Sequence, residues 1–436
     1  MSEMNYDPMT GEPLARPRFT ASFKEKLAAF LLLIPAYFYA KMISDGLILQ
    51  HDPAWRVDLA IFLVGTIGLS VYLFFREKHR VESLLFFACL LASGISTVFQ
   101  LGEVWLDYQK LLFVHGFLLY WILSFSNRLS LGESGCLLPL DALNVLFIVS
   151  FKRYFLWVRS MISAFRDRAA QTREEGQEKK RGSAVLWSFL ALLASAVLFA
   201  IAVSLLSRAD QSFSFLMHHF TDLFQGVPYG RYIGYFFMSL PIAAYVYGIL
   251  GGFRREGIDR VRGRGNAFLR GLLRLRRVPP LSWTVLLLIF SAVYIVFFSL
   301  QWNWVIDAFH GICPPDPRTY ARESFFALIW VSLINFILLG ITHNSARDLE
   351  KKSRILTAAK ILLLLCNVVF CVIAGSKLVL YIVTHGFTPL RLQSSWLVVT
   401  LFLACVAAAI NILSGKKTMK YWMLAASLLL SGLCLF

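Results

Sequence analysis

Tyr320, Arg322 and Glu323 close a proline-stiffened stretch, Pro314-Pro315-Asp316-Pro317-Arg318-Thr319-Tyr320-Ala321-Arg322-Glu323, that leads straight into an apolar helix. A guanidinium beside a carboxylate can grip an anionic group while keeping its own counter-charge at hand. Glu323 also has a structural reading, because a carboxylate at a helix N-terminus complements the helix dipole. Arg391 is a second basic residue of the same kind. Gln100, Glu103, Asp107 and Lys110 recur at i, i+3, i+7 and i+10, so a helix would align them as a stripe. Together Tyr320, Arg322, Glu323, Arg391, Glu103 and Asp107 form the candidate ligand-binding set. The plainer account of the 100–110 stripe is a solvated helix end.

Other polar groups offer less. His218 and Asp222 stand at i, i+4, one edge of a metal site, but a tetrahedral zinc site needs three or four ligands. His219, Asp307, His310 and Cys313 would join only if the fold gathered them, so no metal is expected. His115, Asn335, Asn367 and Lys377 fall within or at the ends of apolar runs. An asparagine there ordinarily hydrogen-bonds a neighbouring helix. No nucleophile–base pair stands out, and no GxxxxGK[ST], GxSxG or HExxH motif occurs. No catalytic residue and no cofactor are expected.

The elements that must position these groups follow from composition. The chain has 436 residues, 58% hydrophobic and 16% charged, where a soluble protein carries about 25% charged. There is too little charge to cover soluble domains of this length. Seven scattered cysteines without a CxxC pair give no disulfide or zinc framework. Runs of about 20 apolar residues are what a helix needs to cross a bilayer. Eleven occur: 27–44, 58–75, 82–100, 111–127, 184–206, 232–251, 281–300, 323–341, 357–376, 394–414 and 420–436. The expected fold is therefore all-α, a polytopic integral membrane helix bundle.

The charge of +17 tests that alternation. With the N-terminus inside, 34 of the 43 Lys and Arg fall on the cytoplasmic side, and the net charge is +18 there and −1 outside. That is the positive-inside bias, and it places the N-terminus in the cytoplasm and the C-terminus outside. The expected organisation is a polar tail (1–26), a four-span unit (27–127), a basic cytoplasmic loop (128–183), a three-span unit (184–300) and a final four-span unit (301–436).

Two apolar stretches are not counted as crossings. Leu137 to Val158 would export the arginines of 254–277 if it crossed, so it is expected to be interfacial or re-entrant. Its continuation, Lys152-Arg153-Tyr154-Phe155-Leu156-Trp157-Val158-Arg159, has the make-up of a basic helix on anionic headgroups. Phe213, Met217, Phe220 and Phe224 mark a second interfacial helix, on the outer side. The 254–277 stretch holds nine arginines but a single aromatic residue, Phe268. It lacks the stacking platforms of a nucleic-acid site, so no nucleic acid is expected. The expected partners are the bilayer and anionic headgroups at the basic loops.

The run Tyr-Ala-Arg-Glu-Ser-Phe-Phe-Ala-Leu-Ile-Trp-Val-Ser-Leu-Ile-Asn (320–335) resembles the signature of a bacterial membrane family, domain of unknown function 4173. Tyr381-Ile-Val-Thr-His-Gly-Phe-Thr-Pro-Leu-Arg391 and the opening Tyr6-Asp7-Pro8-Met9-Thr10-Gly11-Glu12-Pro13 are similar to other parts of that family. Ser324 stands where the family pattern has glycine. The resemblance implies a multi-pass protein of the bacterial cytoplasmic membrane and brings no activity with it. The residues leave three functional classes open: a permease-like or lipid-handling protein with an outward-facing polar site, a sensory or accessory module acting through partner proteins, and a membrane-embedded transferase or hydrolase.

Overall fold

The computed structural model describes residues 19–48, 54–77, 79–101, 107–130, 132–135, 138–174, 195, 229–255, 279–310, 317–350, 353–416 and 418–435. Within those ranges the side chains of 46–48, 107–108, 168–174, 229, 304–305, 307–309, 317–324 and 344–350 lie outside the description. All regular structure among the described residues is helical. Eight helices are long and apolar enough to cross a membrane: Phe23–Asp45, Trp55–Phe74, Val81–Val98, Gly230–Arg255, Pro280–Asn303, Phe325–His343, Arg354–His385 and Pro389–Ser414. Gln109–Phe125 and Met419–Leu433 are shorter apolar helices. These ten match ten of the eleven runs read from hydropathy. The eleventh, 184–206, lies outside the described residues apart from Ser195, as does the 213–224 stretch.

The chain divides into two compact units. The first combines Met1–Phe75 with Val145–Arg255. Its first span is α1 (Phe23–Leu31) and α2 (Leu33–Lys41), continued by a π-helical segment, Met42–Ile48. The span starts on a capping box, in which the Ser22 hydroxyl accepts from Glu25 N–H and the Glu25 carboxylate accepts from Ser22 N–H at 2.8 Å. α3 (Trp55–Phe74) packs back on α2. Their contact is close because Gly65 offers no side chain; a Cβ there would lie 2.8 Å from Pro35 Cβ.

Sequence numbers 138–174 contain no crossing helix. Short pieces follow one another: α6 (Leu138–Leu143), a π-helical turn (Asn144–Val149), α7 (Ser150–Lys152) and α8 (Leu156–Glu174). α6, the π turn and α7 run on without a break, but their six, six and three residues make only about 22 Å of helix, short of the 30 Å of hydrocarbon that a crossing needs. The long helix α9 (Tyr229–Arg255) receives the 146–153 part of this stretch on its glycine face. A Cβ on Gly248 would meet the Ser150 carbonyl oxygen at 2.7 Å, and one on Gly252 would meet Arg153 Cδ at 2.8 Å. Small residues four apart let backbones approach this closely. The Tyr245 hydroxyl donates to Leu146 O at 2.9 Å and the Arg153 guanidinium to Gly252 O at 3.0 Å.

α9 runs antiparallel to the first span and is tied to it at both ends. At one end Arg255 donates twice to the Glu25 carboxylate, at 2.8 and 3.0 Å. At the other, the Tyr235 hydroxyl meets both Asp45 oxygens at 2.6 Å. Glu25 to Asp45 and Tyr235 to Arg255 are each twenty residues, about 30 Å of helix, which matches the hydrocarbon thickness of a bilayer. The two polar ties are therefore about one hydrocarbon thickness apart.

The second unit combines Arg76–Asn144 with Glu256–Phe436. α4 (Val81–Val98) and α5 (Asp107–Phe125) form a helical hairpin. α10 (Pro280–Phe309), α11 (Pro317–Glu350) and α13 (Pro389–Ser414) surround α12 (Arg354–His385). Phe370, Ala374, Leu363 and Leu364 of α12 form the middle of that core. The last helix, α14 (Met419–Leu433), packs on α13 and lies parallel to α4. Lys420 meets Glu82 at 2.5 Å at their starts, and the Ser96 hydroxyl donates to the Cys434 carbonyl at their ends. Glu82 also accepts from Ser134 N–H and hydroxyl, at 2.8 and 2.6 Å.

Candidate functional site

Ionisable side chains within apolar helices are costly to bury, so they mark function by default. In the first unit four such groups collect where the first span ends and α3 begins. Asp45 lies on the π-helical segment, whose wider turn interrupts the regular ladder; such segments recur at functional sites. Lys41, one turn earlier, reaches across to α3 and contacts both Asp58 oxygens, at 3.1 and 3.2 Å. Asp58 is 3% exposed and Asp45 7% exposed. Their burial makes the lysine and the tyrosine hydroxyl obligatory partners rather than ornaments.

Aromatic rings wall this cluster. Tyr37 stands edge-on to Tyr235 at 6.1 Å, and Tyr232 does the same at 6.0 Å. The Arg56 guanidinium lies 5.1 Å over the Trp55 ring. Tyr232 and Arg231 on the first turn of α9 are exposed beside the buried pair. The site thus offers a cation, carboxylates and ring faces in one place. It can hold a polar group carrying charge of either sign, and none of its residues forms a nucleophile–base pair.

The second unit holds a different polar arrangement, in the middle of its helices. The Tyr294 hydroxyl donates to Asn335 Oδ1 at 2.9 Å, and the Asn335 amide donates to Asn367 Oδ1 at 3.2 Å. Asn367 donates in turn to the Cys405 sulfur at 3.5 Å. The chain of bonds links α10, α11, α12 and α13. Both asparagines are fully buried, so each amide gains partners it would otherwise lack. This is the helix-to-helix bonding expected of Asn335 and Asn367. His115 bonds Leu111 O of its own helix at 2.7 Å.

The residues selected from sequence are placed as follows. Arg391 sits on the first turn of α13. Its guanidinium donates to Gly386 O and lies 4.4 Å over the Tyr381 ring, fastening the turn between α12 and α13. Tyr320, Arg322 and Glu323 are on the first turns of α11, with side chains outside the described set, and Asp107 is in the same position at the start of α5. Glu103 lies outside the described residues. His218, His219, Asp222 and Cys313 also lie outside, while His310 is exposed. No three His, Cys, Asp or Glu side chains converge to hold a metal among the described residues. The Lys41/Asp45/Asp58/Tyr235 cluster was not singled out from sequence. Lys41 and Asp58 sit seventeen residues apart on separate helices, and their only sequence signal is a charge just inside the edge of an apolar run.

Helical structure throughout the described residues, with eight helices of crossing length among them and ion pairs at helix ends, defines a polytopic integral membrane protein. The chain belongs to the family described as Domain of unknown function (DUF4153), whose model matches residues 63–436. The match takes in Tyr235 and the whole second unit from Arg76 onward; Lys41, Asp45 and Asp58 precede it. The 320–335 and 381–391 segments that resemble domain of unknown function 4173 fall within the DUF4153 match. No curated protein and no solved structure matches the chain.

Proposed function

We propose that this chain is a permease-like or lipid-handling protein of the bacterial cytoplasmic membrane, with a polar site facing outward at the end of its first span. The observation that carries the reading is the buried Lys41–Asp58 pair beside the Asp45–Tyr235 bond, on a π-helical helix end. Static helix packing needs no second buried carboxylate there. A site that takes up a charged or hydroxyl-rich headgroup does.

The topology of the proposal is eleven crossings with the N-terminus inside and the C-terminus outside. Two helix pairs support it. Eleven crossings make the first and sixth spans antiparallel and the third and eleventh parallel; α1–α2 with α9, and α4 with α14, run in those senses. The same topology puts Asp45 and Tyr235 outside and Glu25, Arg255 and Lys420 inside. Tyr320, Arg322, Glu323, Glu103, Asp107 and Arg391 remain in the proposal as outer-side residues of the second unit. The 320–335 and 381–391 segments, which hold Tyr320, Arg322, Glu323 and Arg391, are those that resemble domain of unknown function 4173.

Protein purified in a mild detergent, extracted and profiled by mass spectrometry is expected to carry a lipid or solute. Asp45→Asn, with an unaltered melting temperature, should lower its recovery by about tenfold, as loss of one charged contact of about 1.4 kcal/mol would. Identical profiles in the two proteins would overturn the reading and favour a module acting through partner proteins.

A further inference from the structure

Helix α8 is built inside out. Its side toward α1 and α9 presents Trp157, Ser160 and Ser163, all buried. Trp157 Nε1 donates to Ala29 O at 2.9 Å, Ser160 bonds the Tyr247 hydroxyl at 2.9 Å, and Ser163 accepts from Ala21 N–H at 3.1 Å. Two of the three inward groups are serines. The opposite side carries exposed apolar groups: Val158 on α8, Phe155 in the turn just before it, 69% exposed, and Phe151 of α7, 60% exposed. Lys152, Arg159 and Arg166 are interleaved on that exposed side. Arg159 and Arg166 are two turns apart and so share one face. Asp167 does not neutralise them, since it is engaged by Lys26.

A face that is apolar and basic together suits neither water nor a lipid tail region. It suits the boundary between the two, where rings sink below the headgroups while long basic side chains reach up to phosphate. α8 is fastened to the Glu25–Arg255 end of the first span, one of the two ends that lie about one hydrocarbon thickness apart. A span that crosses the bilayer puts that end at headgroup depth. We infer that the exposed face of α7 and α8 is a binding surface for anionic phospholipid. Arg159, Arg166 and Lys152 hold the headgroups, and Phe151, Phe155 and Val158 lie among the upper acyl carbons. A neutral leaflet would use the rings and leave three cations without partners. An acidic protein surface would use the cations and leave the rings poorly filled.

The test uses the full chain in lipid nanodiscs of phosphatidylcholine with about 30% phosphatidylglycerol, a composition acidic enough to attract basic side chains. Val158→Cys, in a background with the seven native cysteines changed to serine, carries a bimane fluorophore. A spin-label quencher is placed near the top of the acyl chain of one lipid or the other, at equal mole fraction. Quenching by the phosphatidylglycerol probe is expected to exceed that by the phosphatidylcholine probe about twofold or more, given the attraction of clustered basic residues to anionic lipid. Arg159→Gln with Arg166→Gln should bring the two to equality while leaving the melting temperature unchanged. Equal quenching before those substitutions would overturn the inference, and so would absence of quenching by either probe, which would place water or a protein surface on this face. Neither result bears on the ligand profile of the Asp45 variant.

Discussion

Gly248→Leu is expected to abolish recovery of folded protein, and Gly248→Ala to lower its melting temperature clearly. A Cβ at this position would sit 2.7 Å from the Ser150 carbonyl oxygen. The obstacle is backbone, held in turn by the Tyr245–Leu146 and Arg153–Gly252 bonds, so it cannot rotate aside. Overpacking at a closed contact costs about 1–3 kcal/mol for a modest insertion. A leucine would part α9 from the 145–153 segment altogether. Gly68 and Gly340 are the matched controls: each is helical and a Cβ there meets nothing within 4 Å. Alanine at either should leave stability unchanged or raise it, because glycine is the poorer helix former by about 1 kcal/mol. Detergent-solubilised protein followed by a thermal-shift assay separates the cases.

The second large effect belongs to the ion pair. Asp58→Leu leaves the Lys41 ammonium next to a hydrocarbon side chain, and Lys41→Met leaves a carboxylate that is 3% exposed. Breaking a buried pair from one side costs about 3–5 kcal/mol. The quarter exposure of the Lys41 side chain brings the Asp58→Leu value toward the lower end. The double variant should regain most of the loss, since two apolar groups in contact replace two charges in contact. A double-mutant cycle on melting temperature reads this directly. The cycle also divides packing from function: the double variant is expected to be stable and yet to lose the ligand that the wild type carries.

Sequence and structure agree where hydrophobic length governs and part where distance along the chain is large. Twenty apolar residues in a row have one physical solution in lipid, so Trp55–Phe74 or Arg354–His385 could be read from hydropathy alone. The 137–158 stretch could be excluded as a crossing by charge bookkeeping, and the short α6, π turn and α7 explain what it forms instead. Asn335 and Asn367 were legible as helix-bonding groups, but that they bond each other was not. Nothing in 320–391 states which helix faces which. Gly248 and Gly252 were silent too, because a glycine in an apolar run signals a close approach only once the approaching segment is known. α8 shows the deepest limit. Its amphipathic period was visible in 152–159, yet the period says nothing about which face turns inward when the surroundings are themselves apolar. The Asp45–Tyr235 bond depends on an antiparallel match between helices nearly two hundred residues apart, and the Lys41–Asp58 pair on how two consecutive helices turn toward each other.

The central claim is that the Lys41/Asp45/Asp58/Tyr235 cluster opens to the outer side of the membrane. Tyr232 stands exposed on α9 beside it, with its ring 6.0 Å from that of Tyr235. Tyr232→Cys in the serine-substituted background, expressed in sealed right-side-out vesicles, is to be treated with a membrane-impermeant maleimide. Labelling without permeabilisation is the result this account predicts. Labelling that begins only once the inner face is opened to the reagent would contradict it.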